Sequence, residues 1–312
     1  MGETLHKKPF VRVHHLQKKF GDKKVLKNVS FSVTKGSIHG LIGLSGAGKT
    51  TLLRCLVGYY KPNRGKILID QHDAKDLLSS RIGFTTQDNC FYEDLTLWEN
   101  IRYFGSLYNV PKSKLKRRAQ GLLKLVGLED SLYVNAENLS GGMKRRFDLV
   151  LSLLHEPDIL ILDEPATGLD PMLRKKIWFI VKYINKLGVT TLISSHLLKD
   201  LEHVCTEISL LHKGTIITTG SPRKLRDLFS QHHEVRIQTE PGKYEKILRS
   251  LRKAKVEFSA PRRDEDAFVF LTQHPKRLIK AIYLILHRSP EKLVDLSIEK
   301  PSLESLLEQV AS

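Results

Sequence analysis

The pattern of apolar and polar positions predicts strands on both sides of a glycine-rich loop. Residues 9–43 alternate as β-strands do, in three segments: Phe10–Val13, Val29–Val33 and Ile38–Ile42. The third segment runs directly into the glycine-rich loop, and Thr50–Val57 after it has the pattern of a helix. A strand, a glycine loop and a helix in this order form the context in which phosphate-binding loops occur.

The pattern then changes from strand to helix and back. Two further short strands are predicted at Lys66–Ile69 and Ile82–Thr85. Between about Leu95 and Glu156 the spacing becomes helical, with apolar residues three or four apart at Trp98, Ile101, Phe104 and Leu107. Strands return at Ile159–Leu162 and Thr190–Ser194. We therefore predict an α/β core with a helical subdomain inserted at about residues 90–156.

A second, smaller domain is predicted at residues 221–312. The boundary lies near Gly220-Ser221-Pro222, where serine can cap a helix and proline can begin it. The segments that follow alternate between strand and helix patterns: Glu234–Thr239, Tyr244–Leu251, Val256–Ser259, Ala267–Leu271, Pro275–His287, Leu293–Ile298 and a last helix from Pro301. The order β-α-β-β-α-β predicts a small α+β domain with the ferredoxin-like fold.

The glycine-rich loop matches G-x-x-x-x-G-K-[ST], the pattern of a loop that wraps the phosphates of a nucleotide. Its residues are Gly43, Leu44, Ser45, Gly46, Ala47, Gly48, Lys49, Thr50 and Thr51. Backbone N–H groups of residues 46–51 are expected to face the phosphates, and Lys49 to pair with the β- and γ-phosphates. The Thr50 hydroxyl is expected to reach Mg²⁺.

Two acids follow the continuous apolar segment Ile159–Leu162, which has the composition of a strand buried on both faces. In open α/β sheets ligands bind at the carboxyl ends of the strands, where Asp163 and Glu164 stand. We expect Asp163 to hold Mg²⁺ through water and Glu164 to polarise the attacking water. His196, after another strand, could bond the γ-phosphate and orient Glu164, although a lone histidine is more often structural.

A second phosphate-binding sequence, Leu139–Met143, heads a long amphipathic pattern and has the character of an anion-binding helix N-terminus. The two sequences cannot serve one nucleotide within one molecule. The sequence therefore predicts an ATPase whose active site is completed by another subunit.

The length, composition and charge of the chain limit which classes of protein are compatible with these predictions. The chain has 312 residues, 41% of them hydrophobic and 27% charged, and a net charge of +17, which indicates an anionic partner. A dense basic run, Lys112–Arg118, is by itself best explained as a solvated helix face. No apolar run reaches the roughly 18 residues of a membrane span, and residues 1–8 lack the apolar core of a signal peptide. The three isolated cysteines predict reduced thiols in the cytoplasm.

Taken together, several short motifs resemble those of ABC (ATP-binding cassette) ATPase domains. They are Gln87, Leu139-Ser140-Gly141-Gly142-Met143, Asp163-Glu164, Gly168-Leu169-Asp170 and His196. They occur in the order of that family, and the resemblance covers about residues 9–220. It implies a P-loop NTPase fold, with a RecA-like core, antiparallel β-strands and the inserted helical subdomain, over residues 1–220. It also implies ATP and Mg²⁺ as cofactors.

The resemblance further implies roles for single residues. Phe20 matches the aromatic that stacks on adenine, where the family usually has tyrosine. Gln87 matches a residue whose amide touches both the metal and the lytic water. Ser140 and Gly142 match residues that close over the γ-phosphate bound by a partner subunit, and Asp170 matches one that links the two active sites. Every catalytic position is filled, so we predict an active enzyme.

The segment Leu95–Asn100, the Met-Lys-Arg-Arg sequence at 143–146 and the tail Glu299–Glu304 resemble the ATPase subunits of type 2 exporters of drugs, lipids or polysaccharides. The resemblance implies a dimer, with a second copy or a homologous subunit, that energises a separate integral membrane permease. The protein would then be cytoplasmic and peripheral on the inner face of the membrane, with no nucleic-acid partner. The alternative is a soluble mechanochemical ATPase that acts on nucleic acid or ribosomes.

Overall fold

The computed structural model describes residues 9–73, 81–225, 232–242, 244–264, 266–299 and 301. Contacts divide the chain into two compact units, Met1–Pro222 and Arg223–Ser312. Residues 222–225 are helical. The helix predicted from Pro301 lies outside the described residues apart from Pro301 itself.

Ten strands form one sheet in the described part of the first unit. They are β1 Pro9–Phe20, β2 Lys23–Thr34, β3 Ile38–Ile42, β4 Arg64–Ile69, β5 His72–Asp73, β6 Ile82–Thr85, β7 Ile159–Leu162, β8 Thr190–Ser195, β9 Glu207–His212 and β10 Thr215–Gly220. Their order is β5-β4-β1-β2-β10-β9-β3-β8-β7-β6. The strands β9, β3, β8, β7 and β6 are parallel neighbours, whereas β5, β4, β1 and β2 are antiparallel. This is the mixed α/β core that the sequence predicts.

The strands at the centre of the parallel group are buried along their whole length. Every residue of β3, β7 and β8 is buried, as expected when helices cover both faces of a sheet. The α-helices in the described part of this unit include α1 Lys49–Leu56, α2 Leu97–Leu107, α3 Lys112–Val126, α4 Gly141–Leu153, α5 Pro171–Lys186 and α6 Leu198–Glu202. The strands β1 and β2 are longer than predicted, because their polar ends pair around the turn at Gly21.

The buried face of α2 differs from the face that the apolar spacing predicts. Leu97, Asn100, Ile101 and Gly105 are buried, whereas Leu107 is 58% exposed. The Asn100 amide donates to the main-chain carbonyls of residues 92, 95 and 96, at 2.9, 3.3 and 3.1 Å. These bonds require Asn100 to point inward, which rotates the helix relative to its most apolar stripe.

A glycine allows α4 to pack closely against the parallel sheet. A Cβ added at Gly83 in β6 would lie 2.3 Å from the Ser152 carbonyl oxygen at the end of α4. No side chain fits in this space, so the absence of a Cβ at Gly83 sets the distance between helix and strand.

The second unit contains β11 His233–Glu240, α7 Tyr244–Lys253, β12 Ser259–Asp264, β13 Ala267–Thr272, α8 Pro275–His287 and β14 Lys292–Glu299. Its antiparallel sheet has the order β12-β13-β11-β14. The connectivity and the order together confirm the predicted ferredoxin-like fold.

The strand predicted at Val256–Ser259 begins only at Ser259. The Val256 N–H instead donates to the Leu251 carbonyl at 3.2 Å and closes the end of α7. Val256 and Phe258 pack against the apolar core of this unit. Residues that the alternating apolar pattern predicts as a strand therefore close the end of α7 instead.

Among the described residues, no helix combines the length and the apolar character needed to cross a bilayer.

We predict that Gly83→Ala lowers the free energy of unfolding by about 1–3 kcal/mol, because the new methyl group meets backbone and α4 must move. Gly121→Ala is the matched control, since a Cβ at that exposed position in α3 meets nothing within 4 Å. The control should be neutral or raise stability by about 0.5–1 kcal/mol. Urea denaturation of both variants measures this, and equal effects would contradict the packing argument.

Candidate nucleotide-binding and hydrolysis site

The predicted site residues follow four strands that end at one edge of the sheet. The parallel pairs Ile42↔Ser195 and Thr85↔Leu162 bring the carboxyl ends of β3 and β8, and of β6 and β7, side by side. The glycine-rich loop follows β3, and the two acids follow β7. Gln87 and His196 follow β6 and β8 in the same way. The topology therefore gathers at one edge residues that are far apart in the sequence.

The glycine-rich loop is packed tightly against the sheet. Gly46 and Gly48 have φ of 77° and 107°, the left-handed region that glycine adopts most easily. A Cβ at Gly43 would lie 2.4 Å from the Leu211 carbonyl oxygen. Residues 43, 47 and 48 are buried, residue 44 is half-buried, and residues 45 and 46 are exposed. These glycines are required by the backbone conformation and the close packing.

The loop opens α1 and holds Lys49 in a defined position. The Lys49 side chain is only 7% exposed, and its Nζ donates to the carbonyls of Gly43 and Leu44 at 2.8 and 3.3 Å. Thr50 and Thr51 stand in the first turn of α1, where backbone N–H groups have no acceptor within the helix. The helix start thus presents donors, a cation and a hydroxyl together, which is a favourable environment for phosphate.

Glu164 lies between two basic side chains. Its Oε1 is 3.2 Å from Lys49 Nζ, and its Oε2 is 2.9 Å from His196 Nδ1. Thr167 also donates to Oε2, at 2.9 Å. Burial opposes ionisation of Glu164, but Lys49 and these two hydrogen bonds outweigh it and lower the pKa of the carboxyl group. The carboxylate is therefore ionised at neutral pH and can accept a proton from water.

Asp163 is 1% exposed, and Ser194 holds one of its oxygens. The Ser194 hydroxyl donates to Asp163 Oδ1 at 2.6 Å and accepts from the Glu164 N–H at 2.9 Å. The other oxygen, Oδ2, is buried and has no hydrogen-bond partner among the described residues. A buried carboxylate oxygen of this kind fits a cation ligand, because leaving it without any partner is costly.

The guanidinium group of Arg145, on α4, joins two of the strand ends. It donates to the carbonyls of residues 163 and 164 at 2.8 and 3.0 Å and to that of Pro165 at 3.0 Å. It also donates to the carbonyls of residues 86 and 87, after β6. Asp148, one turn later on α4, lies 3.8 Å from Arg145 and accepts from the Cys90 N–H at 3.3 Å. Burial raises the pKa of Asp148 to about 7.

Two other predicted residues are more exposed. The Gln87 side chain is exposed, and among the described contacts only its backbone carbonyl is bonded, to Arg145. His196 is 42% exposed and touches Glu164 as predicted. His196 therefore contacts Glu164 directly, whereas Gln87 is connected to the site through its main-chain carbonyl, which accepts from Arg145.

Phe20 lies at the end of β1, in an aromatic and basic cluster. Its ring meets Tyr60 edge-to-face with 5.0 Å between centroids, and Lys18 Nζ lies 4.9 Å from the Phe20 ring centroid. Phe20 is 43% exposed, so its ring remains available for stacking. Phe20 belongs to the β1–β2 hairpin, which packs against the glycine-rich loop. A Cβ added at Gly48 in that loop would lie 3.0 Å from Leu26 in β2.

Ser140 caps α4, and the cap and the first helical residue face solvent. Its hydroxyl accepts from the Met143 N–H at 3.3 Å, and residues 140 and 141 are exposed. Gly142 is buried, and a Cβ there would lie 2.5 Å from Leu173. Asp170 caps the neighbouring α5 and accepts from the N–H groups of residues 172 and 173 at 2.9 and 3.0 Å. Two helix N-termini, each with an exposed cap, therefore lie close together.

Comparison with known proteins identifies the family. The sequence profile described as "ABC transporter" matches residues 26–167. The Nod factor export ATP-binding protein I of Ralstonia nicotianae is 35% identical over 72% of this chain and 71% of its own. The linearmycin resistance ATP-binding protein LnrL of Bacillus subtilis is 34% identical over 69% and 70%. The chain belongs to the ABC transporter family. It is an ATP-binding and ATP-hydrolysing subunit, and the predicted resemblance is confirmed.

A solved structure agrees with this assignment. An ATP-binding cassette described as a dimer in a post-hydrolysis state, bound to ADP and phosphate, has a TM-score of 0.62. It is 26% identical and covers 68% of this chain and 99% of its own. The predicted P-loop NTPase fold is thereby confirmed, and the alternative of a soluble ATPase on nucleic acid or ribosomes is not favoured.

Reasoning from the sequence missed Ser194, Thr167, Arg145 and Asp148. Three of them had a local signal. Ser194 is a polar residue near the carboxyl end of β8, beside the edge where Asp163 and His196 lie. Arg145 and Asp148 are charged residues among apolar ones on the buried side of α4. Charges in an apolar helix stripe are paired or functional when they are buried.

We predict that Ser194→Ala lowers stability by about 1–3 kcal/mol and also lowers the ATPase rate, because Asp163 Oδ1 and the Glu164 N–H lose their shared partner. Ser195→Ala is the matched control, since that hydroxyl bonds only the backbone of Leu197 among the described contacts. Thermal denaturation and steady-state ATPase assays compare them. Equal rates in the two variants would contradict the role of Ser194.

Proposed function

We propose that this subunit binds ATP with Mg²⁺, dimerises across two nucleotides and drives export through a separate membrane permease. One observation carries the catalytic part: Glu164 is held between Lys49 and His196, with Asp163 beside it. The relatives named for export and resistance support the direction of transport.

The residues present fit a magnesium ion. Thr50, Gln87 and Asp163 would hold it, and the buried Asp163 Oδ2 supports this choice. When bound, Mg²⁺ would neutralise charge that develops on the phosphate oxygens. The backbone donors of residues 46–51 would bind the phosphates, and Phe20 would stack on adenine.

The contacts of Glu164 define how hydrolysis would proceed. The Lys49 ammonium group contacts Glu164 and donates to two loop carbonyls. When ATP binds, this group would pair with the β- and γ-phosphates. Glu164 would then accept a proton from the attacking water, because its carboxylate is ionised. His196 would orient Glu164 through the 2.9 Å contact and reach the γ-phosphate.

A second subunit would complete each site. The exposed Ser140 and the buried Gly142, at the start of α4, would direct the helix N-terminus at a γ-phosphate held by the partner. Asp170 would link the two sites across the dimer. Since γ-phosphate contacts exist only with ATP, ATP would close the dimer and hydrolysis would release it.

The membrane partner is an integral permease in this proposal. A cytoplasmic helix of the permease would dock near Gln87 and the Phe91–Leu95 segment. The subunit would be cytoplasmic and would lie on the inner face of the membrane through that contact. The partner ATPase would be a second copy or a homologous chain, and no nucleic acid would be involved.

We predict that Glu164→Gln lowers kcat by about 10²-fold or more while nucleotide affinity is retained, because general-base assistance is lost. The variant should also accumulate as an ATP-bound dimer. A fluorescent ATP analogue, an ATPase assay and size-exclusion chromatography with ATP measure these outcomes. Glu129→Gln, a substitution of an exposed acid on a short turn, is the control. Normal hydrolysis by Glu164→Gln would overturn the assignment.

We predict that the ATPase rate per chain rises with protein concentration, because a monomer supplies only half of each site. Mixing two inactive variants, Lys49→Ala and Ser140→Arg, should restore a measurable rate, since a mixed dimer has one complete site. Sedimentation velocity gives the oligomeric state at each concentration. A concentration-independent rate in a monomer, or no recovery on mixing, would argue against the shared site.

A further inference from the structure

The hydrogen bonds of Arg145 use every donor that its side chain has. A guanidinium carries five N–H groups in a planar fork. Here Nε donates to the carbonyl of residue 165, Nη1 to those of 86 and 87, and Nη2 to those of 163 and 164. Five donors meet five main-chain carbonyls, while the residue is 8% exposed.

These carbonyls belong to the two segments that carry the chemistry. Asp163 and Glu164 provide the carboxylates, and Gln87 provides the amide. The two segments leave the sheet side by side, and the last backbone bond between them runs from the Asp163 N–H to the Thr85 carbonyl at 3.0 Å. Beyond this bond the guanidinium of Arg145 connects the segments where strand pairing has stopped.

The same side chain connects both segments to the start of α4. Arg145 is in the second turn of the helix that Ser140 caps. Asp148 adds a further bond on the same helix, to the Cys90 N–H. The helix α4 therefore has two contacts. Its N-terminus is proposed to face the partner's nucleotide, and its Arg145 and Asp148 bond the segments after β6 and β7 of the same chain.

We propose that Arg145 is a positioning residue for ATP hydrolysis. Its guanidinium holds the peptide groups of residues 163–165 and 86–87 in one arrangement, so that Glu164 and Gln87 are placed relative to each other and to α4. A displacement of the Gln87 segment by a docked permease helix is transmitted through this group to Glu164. The inference rests on the proposed hydrolytic roles of Glu164 and Gln87.

The substitution Arg145→Lys distinguishes an effect of the five hydrogen bonds from an effect of the positive charge. Lysine keeps the positive charge but has three donors on one atom, so it cannot reach two segments at once. We expect Arg145→Lys to lower kcat by about 10²-fold, because small misplacement of catalytic groups has effects of this size. The Kd of a fluorescent ATP analogue should change by less than about threefold, since Arg145 touches no residue of the glycine-rich loop among its described contacts.

Arg81→Lys is the matched control. Arg81 precedes β6, and it pairs with Asp70 and Asp158 at the other end of the same two strands. This variant removes an arginine that bonds two carboxylates away from the hydrolytic edge. Its kcat should stay within about twofold of the wild type. Thermal denaturation of both variants reports any general loss of stability.

A double-mutant cycle with Gln87→Ala tests whether Arg145 acts through the Gln87 segment. If it does, the loss in Arg145→Lys/Gln87→Ala will be clearly smaller than the product of the two single losses. A kcat within twofold of the wild type in Arg145→Lys, or equal losses in the Arg145 and Arg81 variants, would overturn the inference. So would losses that multiply independently in the cycle.

The ATPase rates of the wild type and of Glu164→Gln, measured in the same series, distinguish a failure of the proposed function from a failure of the role of Arg145. If the wild-type chain does not hydrolyse ATP under dimer-forming conditions, or Glu164→Gln hydrolyses it normally, the proposed function fails. If the wild type and Glu164→Gln behave as expected while Arg145→Lys retains the wild-type kcat, only the role of Arg145 fails.

Discussion

The parallel pairing of β3, β8, β7 and β6 is the constraint on which the site depends. Parallel neighbours end on the same side, so the loop after each strand emerges at one edge of the sheet. Lys49, Asp163, Glu164 and His196 come together there, although more than 140 residues separate the first from the last. No local preference of these four residues would bring them into contact.

Burial of charge explains most of the polar network at this edge. A carboxylate removed from water needs donors or a cation, and a buried peptide carbonyl needs a donor. Ser194 satisfies Asp163 on one side and the Glu164 N–H on the other. Glu164 itself has φ of 51°, an unusual value for a residue with a side chain, and bonds at both its N–H and its carbonyl support this conformation.

The helix α4 serves two roles because its two ends have different environments. Ser140, which caps it, and Gly141, its first residue, are exposed, which suits a contact made with another molecule. Its later residues are buried against β6, where Gly83 lets the helix approach the strand. Between these regions Arg145 faces the hydrolytic loops. An interaction made at the start of α4 is therefore mechanically connected to the core of the same subunit.

The amino-acid sequence by itself determined the class of fold, the site motifs and the family. Continuous apolar strands, glycines in a tight loop and acids at a strand end are short-range patterns, and each has a direct physical cause. Only the tertiary structure decided which side of α2 is buried, where β12 begins and that Ser194 and Arg145 belong to the site. The buried side of α2 and the start of β12 follow from local hydrogen bonds that apolar spacing does not reveal. The roles of Ser194 and Arg145 follow from hydrogen bonds between residues far apart in the chain. Asn100 turns inward because the carbonyls of residues 92, 95 and 96, just before α2, accept from its amide. Arg145 is buried because five carbonyls from two strand ends meet its five donors.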